Sequence, residues 1–133
     1  GAERLASGLV VKTLKSGNAT HYPRPPATCR VHYEARLPGG ELFDSSRARA
    51  QPLLFRLGAG QLIPGLEEGL QRMSVGQLCR FTVPPALAFG EAGYLPVVPP
   101  NCTLTYDLEL LAFSQEDDDT AGAGEHIGAL ASS

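Results

Sequence analysis

Three histidines and three cysteines are the residues from which acid–base, nucleophilic or metal chemistry would be built in this chain, and their placing excludes most of it. Asp44, Ser45 and His32 supply the residue types of a hydrolytic triad. No G-x-S-x-G elbow presents a serine, however, and His32 falls on the polar side of an alternating segment, away from Tyr33. His21 and His126 lie in loop or flanking sequence and offer no metal pair. Cys29, Cys79 and Cys102 are far apart, odd in number and free of C-x-x-C spacing, so they read as small core-filling thiols and not as a zinc site or disulfide framework. Neither metal nor cofactor is expected. Taken singly, Tyr33 is a packing residue with a satisfied hydroxyl, Phe43, Phe55 and Phe89 are core, and Asp44-Ser45-Ser46 is an ordinary turn or cap sequence.

The elements that must position these residues are legible chiefly through period two. From Cys29 to Leu37 the odd positions are apolar or aromatic, while Arg30, His32, Glu34 and Arg36 are polar. From Cys102 to Leu111, Leu104, Tyr106, Leu108 and Leu110 share one face and Thr105, Asp107 and Glu109 the other. Two one-sided strands imply an antiparallel sheet with one wet face. Leu9 to Leu14, Pro52 to Leu57 and Leu78 to Val83 are further strands, and Pro38-Gly39-Gly40 turns the chain back after the first clear one.

One segment reads as helix, from Pro64 to about Met73. Proline suits its first turn, Glu67 and Glu68 face the positive end of the dipole, and Leu66, Leu70 and Met73 share a face. So short a helix is not stable alone and must lie on the sheet's apolar face. The fold class is therefore α+β, a twisted antiparallel sheet wrapped around one short helix. Between Pro84 and Pro100 a stretch rich in proline and glycine also carries Leu87, Phe89, Tyr94, Leu95, Val97 and Val98; a loop this long and apolar is expected to overhang a pocket.

With 133 residues and net charge −3, the chain has room for one domain with a hydrophobic core. Between Gly8 and Phe113 ten Lys and Arg face eight Asp and Glu, too even and scattered a balance for a nucleic-acid surface. No run approaches the ~18 apolar residues of a membrane span, so a soluble protein is expected, with cytoplasm as the default. Residues 1–7 read as a flexible lead without pattern, 8–113 as the folded domain, and 114–133 as an acidic, Gly/Ala-rich tail expected to be disordered.

The segments Val31-His32-Tyr33, Phe43-Asp44-Ser45-Ser46-Arg47, Leu62-Ile63-Pro64-Gly65-Leu66-Glu67-Glu68-Gly69, Met73-Ser74-Val75-Gly76-Gln77, Ala88-Phe89-Gly90, Val98-Pro99-Pro100-Asn101 and Leu108-Glu109-Leu110 resemble, in order and spacing, the FKBP family of tacrolimus-binding immunophilins. The likeness runs from Gly8 to Leu111. It implies a five- or six-stranded antiparallel sheet around one helix, and peptidyl-prolyl cis-trans isomerase activity on X-Pro bonds in support of protein folding. By the same resemblance the catalytic set is Asp44, Tyr33, Phe43, Phe89 and Tyr106, and the binding set is Phe55, Leu62, Ile63 and Leu66, with Tyr94 and Val98 at the rim and Arg49 supporting Asp44. The implied partners are proline-containing peptides or proteins and macrolides of the tacrolimus and rapamycin kind; a monomer is expected.

Three positions depart from the family pattern. Leu66 stands where Trp is common, Ala88-Phe89-Gly90 replaces A-Y-G and so lacks a ligand-directed hydroxyl, and Leu53 replaces an aromatic, while Tyr33, Phe43, Asp44, Arg49, Ile63 and Tyr106 keep the family's character, Tyr106 where Phe is commoner. The departures imply reduced activity and reduced macrolide affinity. The alternative is an FKBP-fold interaction module or holdase with little catalysis, using the pocket or the Pro84 to Pro100 loop.

Overall fold

The structure, a computed structural model, describes residues 1–116 of the chain. It contains seven strands and one α-helix: β1 Glu3–Arg4, β2 Val10–Lys15, β3 Ala27–Arg36, β4 Leu42–Ser45, β5 Leu53–Leu57, α1 Pro64–Leu70, β6 Leu78–Val83 and β7 Leu104–Gln115, with a single 3-10 turn at Pro85–Leu87. The strands form one antiparallel sheet in the order β1-β2-β6-β7-β3-β4. β5 pairs with the first half of β3, Ala27 to Val31, and β4 with its last residues, Glu34 to Arg36. Two short strands thus lie in tandem along one edge of β3, and residues 46–52 loop out between them.

Alternation decides which face meets the helix. Ala27, Cys29, Val31, Tyr33 and Ala35 of β3, Leu104, Tyr106, Leu108 and Leu110 of β7, and Cys79, Phe81 and Val83 of β6 are all buried, while the residues between them are not. Helix α1 covers this face with Gly65, Leu66, Gly69 and Leu70. Its two glycines, one turn apart, let it lie flush: a Cβ on Gly65 would stand 2.6 Å from Val83 Cγ1, and one on Gly69 2.6 Å from Phe81 Cε1. Main chain therefore packs directly on β6, a closeness no residue with a side chain would permit.

The helix ends at Leu70, short of Met73, because its last turn tightens. Arg72 N–H donates to Gly69 O and Met73 N–H to Leu70 O, both i to i+3 bonds. Met73 remains fully buried beyond the helix. Glu67 and Glu68 are held by more than the dipole: the Glu67 carboxylate accepts Gly58 N–H at 3.2 Å and Glu68 Oε1 accepts the Ser7 hydroxyl at 2.6 Å.

Both flanks differ from expectation. Within the lead read as patternless, Glu3 and Arg4 pair with Val11 and Val10, and Leu5 packs against the core. At the other end β7 continues through Ser114 and Gln115, and Glu116, the first acid of the expected tail, is tied down. Its carboxylate accepts Arg56 Nε–H at 2.8 Å and the Thr28 hydroxyl, and its N–H donates to Pro26 O at 2.9 Å. The rest of that tail, residues 117–133, lies outside the described residues. Among the described residues no helix is long and apolar enough to cross a membrane.

Candidate active site

The register places a single row across four strands: Asp44 of β4 opposite Ala35 of β3, Ala35 opposite Tyr106 of β7, and Tyr106 opposite Phe81 of β6. Residues in one antiparallel row share a face, so Asp44 sits at the rim of the surface that the helix covers. Ala35 keeps the middle of the row low.

Tyr33, two residues before Ala35, projects from the same face of β3. Its hydroxyl donates to Asp44 Oδ2 at 2.6 Å, and Arg49 from the 46–52 loop donates Nη1–H to Asp44 Oδ1 at 2.6 Å and Nη2–H to the Tyr33 oxygen at 2.9 Å. The guanidinium also lies over the Tyr33 ring, 5.8 Å from its centroid. The Asp44 side chain keeps only 15% of its surface exposed, against 50% for Arg49. A carboxylate so covered costs free energy unless paired, and here it has a cation and a phenol. Burial first, and then the bond to Asp44, pushes the Tyr33 phenol up to about 12. Tyr106 is raised by burial and, secondarily, by the negative charge of Asp44, which puts both tyrosines in one electrostatic neighbourhood with the carboxylate.

The apolar residues meet beside this triad. Tyr33, Phe55, Leu62, Ile63, Leu66, Val98 and Tyr106 belong to one buried cluster, and Phe43 and Phe89, half-buried, pack against it. Leu66, which stands where the family commonly has Trp, and Tyr106 are fully covered. Phe89 stacks on Tyr94 with centroids 5.1 Å apart and planes 23° apart. Ile63 caps α1: its carbonyl accepts the N–H groups of Leu66 and Glu67 at 3.1 and 3.2 Å, while its own N–H meets no acceptor among the described residues.

The Pro84 to Pro100 loop folds back on itself, with Tyr94 N–H donating to Val98 O and Val98 N–H to Tyr94 O. That pairing turns Val98, expected at the rim, into the core at 1% exposure, and leaves Tyr94, Leu95 and Val97 outside. Val97, read from sequence only as one of the loop's apolar residues, stays 41% exposed. Ser46, marked in the sequence only by a common turn triplet, has a buried hydroxyl that accepts Tyr33 N–H at 2.7 Å. Gly65 and Gly69 were findable, since two glycines at i, i+4 within a short apolar helix signal a close approach.

Two recesses border this region. One of about 310 Å³ is lined by Leu42, Phe43, Asp44, Ser45, Ala48 and Arg49 and opens beside the triad. The other, about 670 Å³, lies along the solvent side of α1 between Gly60, Leu62, Pro64, Glu67, Glu68, Gln71 and Arg72. Its size does not make it the reacting site: it touches the buried cluster only through Leu62. Among the described residues no group of three His, Cys, Asp or Glu is placed to hold a metal, and the three cysteines are unpaired, Cys29 and Cys79 buried and Cys102 partly so.

Fold and site together define a prolyl isomerase domain of the immunophilin kind. Residues 20–111 match the model of the FKBP-type peptidyl-prolyl cis-trans isomerase family, and the chain belongs to that family. It is 44% identical over 104 residues to the peptidyl-prolyl cis-trans isomerase FKBP1A of Xenopus laevis, covering 78% of this chain and 96% of that one. Among solved structures, FkpA from Escherichia coli superposes with a TM-score of 0.80 at 38% identity over 86% of this chain, which spans about half (52%) of the FkpA chain. A peptidyl-prolyl isomerase from Pseudomonas syringae superposes with a TM-score of 0.77 at 34% identity, covering 86% of this chain and 82% of the other. The domain is a peptidyl-prolyl cis-trans isomerase.

Proposed function

We propose that the prolyl bond is turned in the basin bounded by Phe43, Leu66, Phe89 and Tyr106, with Asp44 facing the carbonyl of the twisting amide. Rotation about a peptide bond costs about 18–20 kcal/mol because twisting breaks amide resonance. Nothing need be bonded or protonated. A site that accepts the twisted amide better than the planar one lowers the barrier, and an apolar basin does so by withdrawing water from the polar planar form. Phe55 and Leu62 back the basin, and the N–H of Ile63, which has no acceptor among the described residues, donates to a second substrate carbonyl, fixing the chain on either side of the proline. Asp44, held from two sides, orients and stabilises by its fixed charge; it is not an acid–base catalyst.

The observation that carries this reading is the covered Asp44 carboxylate, 2.6 Å from both Tyr33 and Arg49, at the margin of a cluster of apolar side chains. Leu66 gives the ring a smaller floor than an indole would, and Phe89 brings no hydroxyl. Turnover is therefore reduced, and macrolides of the tacrolimus kind bind less tightly than where both groups are present. The domain acts as a monomer on proline-containing peptides and proteins, assisting their folding. The test is NMR exchange on a Leu-Pro peptide titrated with the wild-type domain: enhanced exchange that a macrolide suppresses supports the basin, and enhancement that the macrolide leaves untouched moves the reaction elsewhere.

A second reading has one observation in its favour, the exposure of Leu95 at 69% and Val97 at 41% beside Tyr94. Such a stripe suits a holdase or an interaction module. Suppression of aggregation that survives Asp44→Ala would favour it.

A further inference from the structure

The pairing of β3 with β4 ends one residue early, and a side chain completes it. Glu34 faces Ser45, so the next pair would be Tyr33 with Ser46. Ser46 N–H does donate to Tyr33 O at 3.0 Å, as a ladder would have it. The return bond, however, runs from Tyr33 N–H to Ser46 Oγ at 2.7 Å and not to a main-chain carbonyl. By lending its hydroxyl in place of a carbonyl, Ser46 lets the main chain leave the sheet into the 46–52 loop, which carries Arg49, while still gripping both polar groups of the Tyr33 peptide.

The same hydroxyl is held from the opposite face of the sheet. His32 Nδ1 lies 2.8 Å from Ser46 Oγ, and Ser46 Oγ is 3.3 Å from Tyr33 O. A hydroxyl has one hydrogen and two lone pairs. One lone pair takes Tyr33 N–H; with the hydrogen donated to the Tyr33 carbonyl, the other lone pair accepts His32 Nδ1–H, and in the other tautomer the hydrogen goes to His32 Nδ1 instead. His32 is itself set among charged neighbours on that wet face, opposite Glu109, which pairs with Arg47 and, at 3.8 Å, with Lys15. Ser46 is fully buried, so none of these bonds is offered to bulk water.

We propose that Ser46 is a positioning residue for the isomerase site, setting the Tyr33–Asp44 pair in place, with His32 anchoring it from the outer face. The reasoning follows covalent geometry. Ser46 stands two residues after Asp44 and three before Arg49, and its hydroxyl clamps the backbone of Tyr33, the residue whose side chain meets both. The hydroxyl thus ties the backbone of Tyr33 to the segment that carries Asp44 and Arg49. This inference rests on the reading that Asp44 acts on the substrate.

The test measures kcat and KM on a Leu-Pro peptide for Ser46→Ala, Ser46→Thr, His32→Gln, Asp44→Asn and the Ser46→Ala/Asp44→Asn double variant, with the folded fraction set by thermal unfolding. Ser46→Ala is expected to lower kcat about tenfold, the worth of one lost hydrogen bond, with KM nearly unchanged. Ser46→Thr, which keeps the hydroxyl, should recover most of that loss, and His32→Gln should cost about two- to threefold. In the Asp44→Asn background the Ser46→Ala loss should largely vanish, because a residue acting through Asp44 has nothing left to position. Labelled tyrosine carbon resonances give a second readout: the Tyr33 ring signal should move in Ser46→Ala and not in Ser46→Thr. A folded Ser46→Ala domain with wild-type kcat overturns the inference, as does a full additive loss in the Asp44→Asn background. If Asp44→Asn is itself fully active, the reading of the site fails, whatever Ser46 does.

Discussion

Tyr33 and Asp44, on neighbouring strands, are joined by a 2.6 Å hydrogen bond from a phenol that is only 2% exposed. Arg49 closes the triangle from a loop, so a carboxylate at the margin of the apolar cluster is paired from two sides and aimed. That arrangement has consequences that can be measured one by one.

The first concerns alkaline pH. The folded Tyr33 phenol is raised to about 12, above the ordinary value of about 10. Its folded state therefore retains the proton more firmly than the unfolded state, and the stabilisation is fully present below about pH 10 and lost as pH rises toward 12. Tyr33→Phe should flatten that part of the stability curve in urea titrations. It should also lower kcat/KM by about three- to tenfold, since Asp44 loses a charge-assisted bond and keeps Arg49.

A second follows from the close approach of α1 to β6. Ala for Gly69 would gain about 1 kcal/mol of helix propensity, but its Cβ would stand 2.6 Å from Phe81 Cε1 and 2.8 Å from Cζ. Overpacking of this kind costs about 1–3 kcal/mol and wins. Gly69→Ala should unfold at a lower denaturant midpoint and, by lifting Leu66 off the basin, lose activity; Gln71→Ala, on the exposed side just past the helix, should do neither.

How far the sequence alone reaches is clear from these same elements. β3 and β7 were legible because each has one wet face, which forces alternation. β4 was not, since in Leu42-Phe43-Asp44-Ser45 one apolar residue is exposed and the other half-buried, the acid is turned inward and only three positions are paired. The helix was found but drawn too long, because Met73 lies on its apolar face yet is buried by the turn that follows. Tyr33, Asp44 and Arg49 entered as a set through family resemblance, and the structure brings them into mutual contact. Ser46 stayed hidden: only three-dimensional pairing reveals that its hydroxyl substitutes for a strand carbonyl.

A third concerns two of the departures from the family pattern, Phe89 and Leu66. Phe89 is half-buried and stacked on Tyr94, so Phe89→Tyr adds a hydroxyl at little steric cost. Tacrolimus affinity measured by calorimetry should rise by up to about tenfold, one hydrogen bond's worth. Leu66→Trp should raise affinity and turnover further while costing about 1–3 kcal/mol of stability, because Leu66 is fully covered and an indole must make room.

A fourth lies at the end of β7. Thr28 and Arg56 hold the Glu116 carboxyl below its ordinary range. A depressed carboxylate contributes stability that is present above its unfolded pKa and lost as pH falls through the folded one. Glu116→Gln should therefore destabilise the domain at neutral pH and narrow its difference from wild type in acid, as followed by thermal melts from neutral to acidic pH.

The most direct measurement of the account is the exchange rate of a Leu-Pro peptide, recorded by NMR for wild type and Asp44→Ala at equal folded concentration. The wild-type domain should accelerate exchange, and Asp44→Ala, folded and with its apolar basin intact, should lose about tenfold or more of that acceleration, a barrier change of about 1.4 kcal/mol or above. A folded Asp44→Ala domain that turns the peptide at the wild-type rate would contradict it.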